Sequence, residues 1–278
     1  MRRVLLLVTV TWAALLLAGV LCAQGAEPAV PEGFAVCKAL GSKAPGEAGF
    51  RVVHQETGLE LVWVPAGRFK LGAERSRPDE RPVCDVEMPG YWVGHTEVTV
   101  TQWRKVMGKV IHPEANAEGG DHPMVMVIWD DCKAFCEKLG LRLPSELEWE
   151  YAARGPESRV YPWGKDWNAD PLLWPATRWR LNGRHTAPVG SFPKGVSWCG
   201  AFDMAGNVAE WCADWYRTSV YARYKTGDLS PPKYGTRRVV RGGSWEAGNP
   251  RVFRAYSRSL RAPEDRSNCV GFRVARSA

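Results

Sequence analysis

The chain has 278 residues, 45% of them apolar, with 37 Lys and Arg against 30 Asp and Glu and a formal charge of +7. That length and apolar share support one sizeable core or at most two small ones, and exclude a larger assembly of domains. The basic excess forms no run, which argues against a nucleic-acid partner.

Arg2 and Arg3 precede an apolar run from Val4 to Leu21 and small residues around Ala23 to Ala26. Residues 1–25 therefore read as a signal peptide, with an uncleaved membrane anchor as the alternative. Gly-Val-Leu precedes Cys22, so the small residue of a lipoprotein signal is missing. Cleavage predicts an exported chain, periplasmic or secreted, with no stable membrane insertion and a formal charge near +5.

Residues 26–49, rich in Pro, Gly and Ala, read as a linker. Leu59 to Gly72 alternates around Pro65-Ala66-Gly67, which predicts a hairpin, and Val86 to Val93 predicts a further strand. Thr99 and Gln102 have capping-box spacing, so a helix is expected from there to Met107, closed by Gly108. Trp129, Cys132, Phe135, Cys136 and Leu139 fall on one face of a second helix, stopped by Gly140. Ser145 and Glu148 cap a third, ended by Gly155.

Beyond Gly155 the chain turns irregular, with nine tryptophans between Trp129 and Trp215. Buried aromatics and a bound cation would each pin such loops, whose ordering is costly. Within this region Gly200 to Tyr216 holds three carboxylates, two glycines and four aromatic rings. Asp203 and Glu210 flank Gly206-Asn207, a turn pair that can aim main-chain carbonyls beside the two acids, in outline a cage for a hard cation. An ordinary solvated turn is the other reading. Arg238 to Trp245 and Val270 to Ala275 predict two closing strands around a polar loop.

Ten arginines lie between Arg237 and Arg276, read mainly as structural ion-pair donors, with an acidic ligand as the other use. Without Cys22 seven cysteines remain, an odd number, so some should pair after export and at least one should be left over. No second Cys or His pair matches the Cys132 and Cys136 spacing, and a zinc site is not expected.

Val64-Pro-Ala-Gly67, Asp79-Glu-Arg-Pro82, Glu97-Val-Thr99, His122-Pro123, Arg142 to Gly155, Tyr161-Pro-Trp-Gly164, Pro188 to Phe192, Asp203 to Asn207, Arg241 to Trp245 and Gly271-Phe-Arg273 follow one another in order. In that order they resemble the formylglycine-generating enzyme family, the sulfatase-modifying factor domain, over about 50–278. The resemblance implies a single α+β domain of C-type-lectin-like fold with much irregular structure. It implies a structural calcium on Asp203 and Glu210 side chains and Gly206 and Val208 main-chain oxygens. A second family calcium site needs an acid just before Thr186, where Leu181 to His185 supplies none.

The family's chemistry converts a sulfatase cysteine to formylglycine with oxygen and copper(I) held by two thiolates after the Gly-Gly-Ser motif. Here the loop Trp245 to Arg254 has no cysteine, and the nearest positions are Ala247 and Val252. Copper is therefore not expected. Ser244 matches a serine beside the family's site, and Cys269 falls where the family has an asparagine. Ser244 reads as a ligand or a turn-capping hydroxyl; Cys269 reads as a disulfide partner of a core cysteine such as Cys136, or as catalytic. Ala209 replaces a common tryptophan and should widen the groove.

Two functions follow. One is an accessory module binding a sulfatase or another exported protein or peptide through Ser244, Arg254 and Cys269. The alternative is a formylglycine-generating oxidase with altered ligation. Iron-dependent relatives take three histidines from an extra helical domain. His54, His95, His112, His122 and His185 are scattered, and that branch is set aside.

Overall fold

A computed structural model describes residues 28–37, 43–110, 112–116, 119–174, 176–177 and 185–278. The expected signal segment, 1–25, lies outside them, as do 181–184 of the stretch that lacks the second calcium site's acid. Strand β1 (Phe34–Val36) falls inside the segment read as a linker. Phe34 is buried edge-on against His54, ring centres 5.0 Å apart, and β1 pairs antiparallel with β2 (Arg51–His54).

Strands β3 (Glu60–Val64) and β4 (Gly67–Leu71) do not form the expected hairpin. Instead β4 pairs with β5 (Cys84–Met88), while β3 lies between β2 and β6 (Tyr91–Gly94). Burial explains the split. Leu61 to Val64 are buried in succession, as suits a central strand covered on both faces, whereas β4 and β5 alternate buried and solvated residues. The strand expected over Val86 to Val93 is likewise two strands in different sheets, separated by Pro89-Gly90.

The three expected helices form. In α1 (Val100–Met107) the Thr99 hydroxyl accepts the Gln102 N–H at 3.1 Å and Gln102 Oε1 accepts the Thr99 N–H at 3.0 Å. Helix α2 (Trp129–Lys138) buries Trp129, Cys132, Phe135 and Cys136. Every residue of α3 (Glu146–Arg154) is buried, although three are glutamates. Each finds an arginine: Glu146 accepts Arg258 Nε at 2.6 Å, Glu148 accepts Arg142 Nη1 at 2.7 Å, and Glu150 accepts Arg154 Nη1 at 2.6 Å and also Arg241. Buried charge persists only when paired in this way. A short α4 (Val220–Tyr224), not expected from sequence, follows β7 (Ala209–Trp215).

Strands β8 (Arg238–Arg241), β9 (Ser259–Arg261) and β10 (Val270–Gly271) join β7 in a sheet of order β10-β7-β8-β9. The two closing strands therefore do not pair with each other; β7 runs between them, parallel to β10. β11 (Ala275–Ser277) completes the five-stranded sheet β1-β2-β3-β6-β11. Few helices, short strands and long irregular connections make the expected α+β, C-type-lectin-like architecture. Buried aromatics fill its centre, with Trp103 stacked on Phe135 at 5.5 Å. A separate cluster pins the irregular region, Tyr161 stacked on Trp163 at 5.1 Å and Trp167 on Phe253 at 5.9 Å.

Among the described residues no disulfide joins any of the seven cysteines, and the expected bridge from Cys269 to Cys136 is not formed. Cys136 lies in the core on α2, while Cys269 contacts Ser267 Oγ at 3.0 Å and Arg261 Nη2 at 3.6 Å. Six of the thiols sit in the core as small apolar groups, and Cys37 is half-buried.

Candidate functional site

The turn before β7 buries the acids singled out from sequence. Asp203 and Asn207 have φ of +57° and +55°, and between them Gly206 has φ +84°, where a Cβ would lie 2.6 Å from the Leu173 carbonyl. Only glycine fits there. Asn207 Oδ1 accepts the Ala187 N–H at 3.0 Å, fastening the turn to the preceding loop.

Three buried carboxylates, Glu97, Asp203 and Glu210, face one guanidinium, that of Arg273. Glu210 accepts Arg273 Nε and Nη2, each at 2.6 Å, and Trp149 Nε1 at 2.8 Å, using most of its acceptor sites. Asp203 Oδ2 accepts the Gly190 N–H at 2.6 Å. Glu97 has long contacts, 3.4 Å each, from Asn207 Nδ2 and the Val208 N–H, and shares a hydrogen bond with the Asp203 carboxyl. Burial, followed by repulsion from Asp203 and Glu210, pushes the Glu97 carboxyl far up; burial likewise raises Asp203. A proton or a cation must offset this excess of negative charge.

The donors are all oxygen, the type a hard cation takes. Among the described residues no group of three or more His, Cys, Asp or Glu side chains is arranged to hold a metal ion. Glu97, which the sequence analysis named in a motif without giving it a site role, bonds the Asp203 carboxyl beside the turn. Its position beside the turn depends on a contact spanning 110 residues and leaves no local signal.

A second feature lies across the sheet. Ser244 and Cys269 line a cavity of about 170 Å³ together with Ala209, Ala247 and Val252. Two expectations meet here: Ala209 stands in the wall, and so do the two loop positions nearest the family's thiolate pair. Arg254 does not face this cavity. It lines an adjoining one of about 550 Å³ that shares Arg77, Val252 and Ser257 with the first. Burial, the largest effect, raises the Cys269 thiol, and a hydrogen bond to Glu246 adds to it, while Ser267 and Arg261 lower it. Arg77 and Arg261, not singled out from sequence, also line the small cavity.

Fold and cavity together define a C-type-lectin-like α+β domain of the formylglycine-generating-enzyme kind. The chain belongs to the sulfatase-modifying factor enzyme 1-like domain family, whose model matches residues 47–278. It is similar to the formylglycine-generating enzyme of Streptomyces coelicolor, 40% identical over 177 residues, 57% of this chain and 54% of that protein. It is also similar to hercynine oxygenase of Mycolicibacterium smegmatis, 31% identical over 265 residues, 77% of this chain and 60% of that protein. The solved structure of PvdO from Pseudomonas aeruginosa matches with a TM-score of 0.72 at 28% identity, covering 84% of this chain and 99% of that one. The chain spans about half the length of the curated relatives it matches, from 38% to 60% in the first four.

Proposed function

We propose that the chain is an exported sulfatase-modifying-factor-domain protein that binds a peptide or another exported protein, a sulfatase among the partners, and does so without copper chemistry. The observation that carries this reading is the composition of the small cavity. Ala247 and Val252 occupy its wall beside Ser244 and Cys269, so it presents a single sulfur. Linear copper(I) takes two soft thiolates, and a buried thiol with a raised pKa is a poor source of even one. The acidic turn would hold a structural calcium through Asp203, Gly206, Val208 and Glu210, with Glu97 beside them.

A second reading, an oxidase with altered ligation, is favoured by the placement of Cys269 in that same wall and by the 40% identity to a formylglycine-generating enzyme. Copper(I) titration followed by mass spectrometry of a cysteine-containing sulfatase peptide separates the two. The binding reading expects no stoichiometric copper(I) and an unchanged peptide; conversion of the cysteine to the aldehyde overturns it.

A further inference from the structure

The two adjoining cavities form one groove, with Arg77, Val252 and Ser257 as their common wall and the edge strand β9 at its side. Arg77 is committed to Asp79 at 2.9 Å and Glu80 at 3.1 Å. The other solvated arginines of the groove have no carboxylate partner among the described residues. Arg75 and Arg251 are exposed, Arg254 rests on Tyr256 with its charge 5.9 Å from the ring centre, and Arg261 reaches Cys269 Sγ. Opposing charge is scarce: Glu80 is buried against Arg77, and Glu246 is the acid beside Cys269. The buried arginines of the same walls, Arg241 and Arg258, are neutralised by Glu150 and Glu146.

We infer that this groove takes an extended acidic peptide segment of a partner protein, its carboxylates meeting Arg75, Arg251, Arg254 and Arg261 and its main chain running along β9. The inference rests on the groove being a binding surface and names the chemistry of what it binds. Guanidinium groups pair with carboxylates in fixed, often two-pronged geometry, and a concave wall of one sign concentrates ligands of the other. Two observations select a peptide over a nucleic acid. No aromatic ring lines either cavity, so the stacking platforms used for single strands are missing. Strand β9 ends its sheet, with Ser259 and Leu260 exposed, and among the described residues no strand covers its outer edge. Such an edge offers main-chain donors and acceptors to an added strand.

The test is fluorescence anisotropy on the purified full chain with labelled peptides of about ten residues, one rich in Asp and Glu, one neutral and one basic. A single-stranded DNA of similar length and inorganic phosphate serve as competitors. The acidic peptide should bind best and weaken with salt. The Arg75→Glu, Arg251→Glu double variant should weaken it about tenfold or more, since rim charges set such steering. Both residues are exposed, and an unchanged melting temperature checks that the variant is folded. N-methylation of alternate peptide amides should weaken binding as well, a change that leaves the protein untouched.

Equal binding of acidic and neutral peptides, or a double variant that binds like the parent, overturns the inference. Displacement by DNA at equal concentration assigns the groove to nucleic acid, and displacement by phosphate at equal concentration reduces it to a small-anion site; either also overturns it. The copper assay is read separately. Conversion of a sulfatase peptide would remove the non-copper reading and leave the charge preference standing; loss of the charge preference would do the reverse.

Discussion

Asp214 shows how far a single residue in this interior departs from its behaviour in water. Its carboxylate is buried on β7 and accepts the Glu146 N–H at 2.7 Å, yet burial and then the nearby Glu146 charge push its pKa up to about 7. A folded-state value above the unfolded one, near 4 for aspartate, favours the protonated form in the native state. Its contribution is therefore fully present below about pH 4 and lost as pH rises through 7. Asn keeps the accepting oxygen and removes the titration. Asp214→Asn should thus gain stability relative to the parent between pH 5 and pH 8, by on the order of 2 kcal/mol, in urea unfolding at both pH values. An equal difference at the two pH values would show that Asp214 is not the titrating group. The buried arginines belong to the same scale. Glu146 and Arg258 are 112 residues apart in sequence, and nothing local to either residue announces the pair.

Among the elements, the helices were the most legible because their signals are local. Capping boxes at Thr99 and Ser145, the apolar stripe of α2 and glycines at the ends fixed type and extent. Ser145→Ala should cost about 1 kcal/mol, read as a lowered urea midpoint with an unchanged slope, because its hydroxyl accepts the Glu148 N–H at 3.2 Å. No loss would mean that the fully buried helix is held by its ion pairs alone. Strand partners were not legible. Alternation in β4 told which face is buried, while the choice of β5 over β3 as its neighbour depends on Pro89-Gly90 dividing β5 from β6 and on β3 being covered on both sides. For the candidate site, the motifs name Ser244, Cys269 and Arg254 without their spatial arrangement, in which Ser244 and Cys269 line one cavity and Arg254 the adjoining one. Arg261, and the place of Glu97 beside the acidic turn, came into view only through contacts made by folding.

At the scale of the whole molecule, the acidic turn connects distant parts of the chain: Glu97 precedes α1, Asp203 and Glu210 flank the start of β7, and Arg273 lies just before β11. A calcium ion there would bind the native state alone and stabilise it by mass action. Chelation should accordingly lower the melting temperature by about 5 °C or more, and Asp203→Ala should abolish the response. A melting temperature indifferent to chelator and to added calcium would mean that a proton, not a metal, offsets the charge. The dispersed thiols carry a different consequence. Among the described residues all seven thiols are free and six of them are buried, held in place by the packing around them. A thiol enclosed in this way is inert toward external reagents until the fold opens around it.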